Sequence, residues 1–224
     1  MNKKTIGIIA GIVVAAAAFF YLTKPSDTSA GTPSNHTLGK GSSGVVLIEY
    51  GDFQCPACRA YHPVLKEVKA KYDELITFQF RNFPLESIHV NGRAGSRAAE
   101  AAGIQGKFWE MHDQLYENQP EWEKSGDPLS LYEGYAADIG LDVTRFTTDY
   151  KSKTVNSTIN ADIKEAQKID ATATPTFVLD GIKLEGTSAS LESMSTFIDE
   201  AITKKTGSAP VFPETAPAQT IPAQ

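Results

Sequence analysis

The only two cysteines in the chain, Cys55 and Cys58, stand three positions apart. A scaffold stapled by disulfides needs several cysteines at long separations, and one short-range pair cannot tie down a chain of 224 residues. The fold must therefore rest on a hydrophobic core, and a content of 41% hydrophobic and 21% charged residues suits an ordinary globular domain. The net charge is −6, and no basic run exceeds a Lys-Lys pair, so the chain is poorly suited to gripping a phosphate backbone. Nucleic acid is not expected as a partner.

The two ends read differently from the middle. Lys3 and Lys4 precede an uncharged apolar run over 5–22. As a helix it spans about 27 Å, close to the roughly 30 Å of a bilayer core. The lysines predict a cytoplasmic N-terminus and place the rest of the chain outside, so 1–22 is expected to be a single-pass membrane anchor. A cleaved signal peptide is the alternative, with Ala15-Ala16-Ala17 as the small-residue site, although apolar residues continue past it. Residues 23–44 are predicted to be a flexible linker, since 15 of the 22 are Ser, Thr, Gly or Pro. Residues 206–224, rich in Pro and Ala, are predicted to be a disordered tail. One domain is expected between them, over 45–205.

Within that domain Val45-Val46-Leu47-Ile48 reads as a strand buried on both faces. A helix is expected from about Cys55, with Tyr61, Val64, Leu65, Val68 and Tyr72 at helical spacing and a kink at Pro63. Residues 75–83 alternate as a second strand. The pattern then turns helical for about 80 residues, with four or so helices expected around 93–102, 108–116, 129–139 and 155–166. Thr176–Leu179 and Ile182–Leu184 flank Asp180-Gly181, the signature of a two-residue hairpin turn. An amphipathic helix over 191–202 closes the domain.

Phe53-Gln54-Cys55-Pro56-Ala57-Cys58 thus sits between a buried strand and a helix, Ala173-Thr174-Pro175-Thr176 leads into the late hairpin, and Glu49 lies six residues before Cys55. This combination resembles the DsbA-like thiol–disulfide oxidoreductases over 45–205. The resemblance implies an α/β thioredoxin fold (βαβ joined to ββα) with a helical insertion at about 90–170. It departs at Ala57, where the best-known members carry His, which bears on the redox potential rather than on the reaction class.

The chemistry also follows from the residues. A cysteine at a helix N-terminus meets unpaired N–H groups and the positive end of the dipole, and both favour the thiolate. Cys55 is in that place, beside Pro56 and Ala57 at the helix start, and is expected to be the exchange-active sulfur. Cys58, one turn in, is expected to resolve the mixed disulfide. Glu49 either faces solvent at a strand end or forms a partly buried carboxylate that exchanges a proton with Cys58. Pro175 either simply starts a strand or, as the resemblance implies, forms a cis-proline loop facing Cys55, where Thr174 offers its backbone to an extended substrate.

Competing readings of the pair are zinc, with His62 as a third ligand; haem attachment, which needs His where Arg59 stands; and an inert disulfide. None is favoured, so no metal and no cofactor are expected. His36, His89 and His112 carry no clear signal, and the acidic run Glu117, Glu121, Glu123, Asp127 reads as a solvated connection.

The function expected is that of a membrane-anchored, extracytoplasmic, monomeric dithiol oxidase of bacterial type, which introduces disulfides into reduced exported proteins. The resemblance implies a membrane re-oxidant, quinone-linked and of the DsbB or VKOR type. A reductase or isomerase on the same fold, and a non-catalytic binding or chaperone module, remain open alternatives.

Overall fold

The computed structural model describes residues 31–212. In chain order these form β1 (His36–Leu38), β2 (Val45–Gly51), α1 (Pro56–Tyr72), β3 (Ile76–Asn82), α2 (Gly92–Ile104), α3 (Phe108–Glu117), α4 (Gln119–Trp122), α5 (Pro128–Asp138), α6 (Val143–Tyr150), α7 (Lys153–Lys168), β4 (Thr176–Leu179), β5 (Ile182–Lys183) and α8 (Leu191–Thr206). The five strands make one mixed sheet in the order β1-β3-β2-β4-β5. β2 runs parallel to β3 and antiparallel to β4.

The two-residue period of β2 explains how the layers assemble. Val45 and Leu47 join Ile76 and Phe78 of β3 and the buried faces of α1 and α8 in one core. Ile48 and Tyr50 point the other way, toward a cluster that contains Ala166 and Ile163 of α7. Glu49 follows Val45 and Leu47 on the first face, where β3 places Phe80 beside it in register. A third cluster gathers Phe53, Phe80, Cys55 and Cys58 with Phe108, Leu115, Trp122 and Tyr132, so the helical insertion packs directly on the cysteine turn. This is a thioredoxin fold with an inserted helical block.

Several boundaries differ from those read in the sequence. The expected anchor, 1–22, lies outside the described residues. Among the described residues no helix is long and apolar enough to cross a membrane. The C-terminal part of the expected linker is not free chain, because β1 pairs with β3 from His36↔Phe80 to Leu38↔Phe78. Its Ser, Thr and Gly residues suggested a solvated segment, but the polar side chains find buried partners. Ser34 gives its N–H and its hydroxyl to the two oxygens of Asp162 at 2.8 and 2.7 Å. His36 stacks on Phe108 with ring centroids 3.7 Å apart and bonds Glu100 at 3.0 Å.

At the other end Gly207 caps α8 with φ 78°. Phe212 then packs edge-on to Tyr72 at 5.3 Å, so the expected tail begins with packed chain. The helical block holds six helices rather than four or so. The extra ones are α4, only four residues long, and α6, eight residues whose apolar row is the short set Val143, Phe146 and Tyr150. Pro63 lies inside α1, which continues through it to Tyr72. Asp180 and Gly181 both take positive φ, 48° and 85°, as the tight hairpin turn requires.

The Ser34–Asp162 contact gives a direct test. Ser34→Ala removes one hydrogen bond to a buried carboxylate while Asn82 still donates to the same oxygen. The expected loss is about 1–1.5 kcal/mol in urea unfolding, with an unchanged m value. A loss below about 0.3 kcal/mol would mean that the Ser34 hydroxyl adds nothing to the stability of the domain.

Candidate active site

The site forms where β2 gives way to α1. Asp52 turns the chain by accepting the Cys55 N–H at 3.0 Å, and Cys55 becomes the N-cap of α1 with φ −70° and ψ 123°. Pro56 occupies the first helical position, where its missing N–H leaves nothing unpaired. Gln119 of α4 steadies the turn from the other side, donating to the carbonyls of Phe53 and Cys55 at 2.7 and 3.2 Å. Pro56 and Ala57 are exposed. Cys55 is nearly covered at 6% exposure, and Cys58, one turn in, is at 0%. Both thiols are free.

These surroundings drive the two sulfurs apart electronically. The Cys58 side chain donates a hydrogen bond to the Cys55 sulfur and pulls its pKa down from the ordinary thiol value to about 5, with Thr174 adding to the effect. The backbone N–H groups of Cys58 and Ala57 make no capping bond but face the sulfur at the helix start and act in the same direction. Burial pushes Cys58 well above the ordinary thiol value, and its neighbours Cys55 and Glu49 push the same way. At neutral pH the pair therefore holds one thiolate on Cys55 and one proton on Cys58.

Glu49 is wholly buried, and neither carboxyl oxygen has a hydrogen-bond partner. Of its two readings from sequence, solvent-facing or buried, the structure gives the buried one. Burial raises its pKa to about 8, so the carboxyl is mostly neutral at pH 7. Lys69 pulls the other way; its ammonium lies over the rings of Phe78 and Trp109 at 5.1 and 4.8 Å.

Across from the cysteines, the Cys55 sulfur lies 3.3 Å from the Thr174 carbonyl oxygen, to which it donates only in its thiol form, and the Thr174–Pro175 peptide is cis. The Thr174 hydroxyl oxygen is buried without a partner. Thus Glu49, Cys55, Cys58, Thr174 and Pro175 meet at one place, although 126 positions separate Glu49 from Pro175.

His62 does not face the sulfurs as a third zinc ligand. Its Nε2 donates to Asp113 at 2.9 Å, and the same oxygen accepts from His112 Nδ1 at 3.0 Å. The ligand-type atoms of these three residues lie within 4.8 Å of one another. The Lys66 ammonium stands 3.6 Å from the second Asp113 oxygen, so the carboxylate already has its partners and a cation would meet a positive neighbour.

Other residues that shape the site carry no pattern in the sequence. Asp52, fully buried, accepts from the N–H groups of Gln54 and Leu85 and from His89 Nδ1 at 2.9, 2.8 and 2.7 Å. Gln119 likewise holds the turn through its side-chain amide, and the Asn91 backbone N–H holds it through the Gln54 side chain. Such isolated polar residues have no spacing to betray them.

A family model described as Thioredoxin matches residues 31–200. Among proteins of known sequence, the Na(+)/H(+) antiporter NhaA 1 of Mycolicibacterium vanbaalenii is 36% identical over 154 residues, which is 68% of this chain and 24% of that protein. NhaA 1 of Salinispora arenicola is 34% identical over 167 residues, 75% of this chain and again 24% of that protein. The chain thus spans about a quarter of the length of the curated relatives it matches. Among solved structures, alpha-DsbA1 of Wolbachia pipientis superposes with a TM-score of 0.68 at 22% identity, covering 79% of this chain and 96% of that one. BdbD of Bacillus subtilis gives 0.66 at 22% identity, with 78% and 97% covered. DsbA2 of Pseudomonas aeruginosa gives 0.57 at 27% identity, with 76% and 96% covered.

Proposed function

This chain belongs to the thioredoxin family; on that premise we propose that it is a DsbA-like thiol–disulfide oxidoreductase with Cys55–Cys58 as its redox pair, and that it works as an extracytoplasmic dithiol oxidase for exported proteins. The observation that supports the direction is the separation of the two thiols, with Cys55 drawn down to about 5 and Cys58 pushed up. A stabilised Cys55 thiolate favours the reduced protein over its disulfide. A pair whose reduced form is stabilised gives its disulfide away.

In the proposed cycle the resting protein holds a Cys55–Cys58 disulfide. A substrate thiolate attacks the Cys55 sulfur and the S–S bond breaks. Cys58 leaves with the electron pair and takes a proton from the buried Glu49 carboxyl. A second substrate thiolate then attacks the substrate sulfur of the mixed disulfide. Cys55 departs as a thiolate, a good leaving group because its pKa is low. The substrate has lost two electrons and the Cys55–Cys58 pair has gained them. Thr174 holds the substrate backbone beside Cys55 as an added strand, next to Pro175. A quinone-linked membrane re-oxidant then removes the electrons, with Glu49 receiving the Cys58 proton on the way back. The apolar segment over 5–22 behind Lys3 and Lys4 supports an anchored protein with its catalytic domain outside the cytoplasm.

The reduction potential tests the direction. A Cys55 pKa of about 5 lies between those of thioredoxin, about 7, and DsbA, about 3.5. Equilibration of the intact chain with glutathione should give a potential between about −270 and −120 mV, in the upper half of that window. A value at the thioredoxin end would make this a reductase fed by a reducing partner.

A further inference from the structure

Two polar groups buried beneath the cysteine turn have no hydrogen-bond partner among the described residues. One is the Glu49 carboxyl, and the other is the hydroxyl of Tyr116, at the end of α3. Tyr116 is 1% exposed. A buried phenol ordinarily finds a partner, and phenylalanine would fill the same space with no polar atom to satisfy.

The ring is fixed from three sides. Its centroid lies 5.0 Å from Phe53 in the cysteine turn, 5.3 Å from His62 on α1, and 5.0 Å edge-on from His112, one turn earlier on α3. The hydroxyl therefore has a set position, and Gly51 marks it. A Cβ on Gly51 would meet the Tyr116 oxygen at 3.1 Å and the Phe80 ring at 2.5 and 2.7 Å. Gly51 does not take a positive φ, so glycine stands here to make room. It follows Glu49 by two residues in β2, and such residues share one face of a strand, about 6.6 Å apart. The Tyr116 hydroxyl thus stands over the row that carries the Glu49 carboxyl, one side-chain length along it.

The other groups around the two are engaged. β3 and β4 set Phe80 and Phe177 beside Glu49. From α1 it faces Cys55, Cys58 and Lys69, whose ammonium lies over the Phe78 and Trp109 rings. Against the Tyr116 ring, His62 and His112 both turn to Asp113, and burial lowers His112 to about 3, so it stays neutral. Asp52 accepts from the Gln54 and Leu85 N–H groups and bonds His89. Tyr116 brings a neutral hydroxyl to this set.

We propose that Tyr116 is a positioning residue for the proton transfer, its hydroxyl donating a hydrogen bond to the Glu49 carboxylate that forms when Glu49 gives its proton to Cys58; this rests on the reading of Glu49 above and holds whichever way the electrons run. In that step the Glu49 O–H bond breaks and an S–H bond forms on Cys58. The electron pair left on the carboxylate oxygen then needs a donor in a space that excludes water. A hydroxyl rotates about its C–O bond, so the phenol turns to the new charge without moving its ring. Burial, with Cys58 and Glu49 beside it, holds the phenol well above the ordinary tyrosine value, so it donates and keeps its own proton.

The test follows reduction of the Cys55–Cys58 disulfide by dithiothreitol across the alkaline range, with rates referred to the dithiothreitol thiolate. It compares the intact chain with Y116F, E49Q and the double variant. Tyr116→Phe should slow reduction about fivefold at pH 7 and move the alkaline fall in rate up by about one pH unit, because a carboxylate without its donor holds its proton more tightly. On the E49Q background the same substitution should change nothing. An alkaline fall that stays in place overturns the proposal. So does an equal loss with and without Glu49, which would assign the hydroxyl to the Cys58 sulfur or to packing. Failure of the Glu49 reading looks different: E49Q would then be reduced at the wild-type rate.

Discussion

Replacing Cys58 with serine is expected to give a protein that forms a mixed disulfide through Cys55 and keeps it, whereas replacing Cys55 with serine removes exchange altogether. In C58S the Cys55 thiolate still attacks a disulfide such as oxidised glutathione and releases one glutathione thiolate. No second thiol stands one turn away to displace the other, so the adduct persists and mass spectrometry reads it directly. In C55S the remaining thiol is fully buried and its pKa is pushed well above the ordinary value, so at pH 7 it offers almost no thiolate and no access.

A hydrogen bond from Cys58 is the largest cause of the low Cys55 pKa. The serine hydroxyl in C58S still donates, so iodoacetamide should alkylate Cys55 with a midpoint near pH 5 to 6. C58A lacks the donor, and its midpoint should rise by at least a unit. Identical midpoints in C58S and C58A would assign the shift to the helix start instead. Appreciable exchange by C55S would reverse the roles of the two sulfurs.

The parts of this molecule that were legible in the sequence are those coded locally. β2, α1 and the hairpin over β4 and β5 carry short apolar runs, helical spacing and an Asp-Gly turn, each read within ten or so residues. Cys55, Cys58 and Glu49 share one strand–turn–helix unit, so their spacing already implied their proximity, and Thr174-Pro175 stood out by its place before a strand. The burial of Glu49 was not decided by spacing. It follows from β2 continuing the Val45–Leu47 row under α1, which requires knowing which face α1 covers.

The N-terminal strand was misread for the same reason in reverse. Residues 34–38 look like linker because their polar side chains are satisfied by Asp162, Glu100 and Phe80, which lie 128, 64 and 46 positions away from their partners. Composition cannot reveal a partner that distant.

Glu49→Gln is expected to make the reduced protein more stable at neutral pH and much slower in exchange, two effects with one cause. An unfolded glutamate titrates near 4.3, while in the fold burial holds Glu49 to about 8. For a folded pKa raised in this way, the stabilising contribution is complete below the unfolded value and is lost as pH rises toward the folded one. Between about 4.3 and 8 the unfolded chain releases a proton that the folded chain keeps, so wild-type stability falls by about 1.4 kcal/mol per pH unit on this account alone. Glutamine has nothing to release. The two proteins should match near pH 4 and diverge to about 3 kcal/mol in favour of E49Q at pH 7, on the order of 6–12 °C in Tm for a domain of this size. Lys69 pulls against the shift and trims the difference without changing its sign.

The rate moves oppositely, because the departing Cys58 sulfur needs a proton in a space that excludes water. Removing a positioned acid costs about a hundredfold or more, and the fall in wild-type rate above pH 8 should vanish in the variant. A stability difference that stays constant from pH 4 to 8 would mean the carboxylate is charged and paired in the fold, and Glu49 would then be no proton store for Cys58.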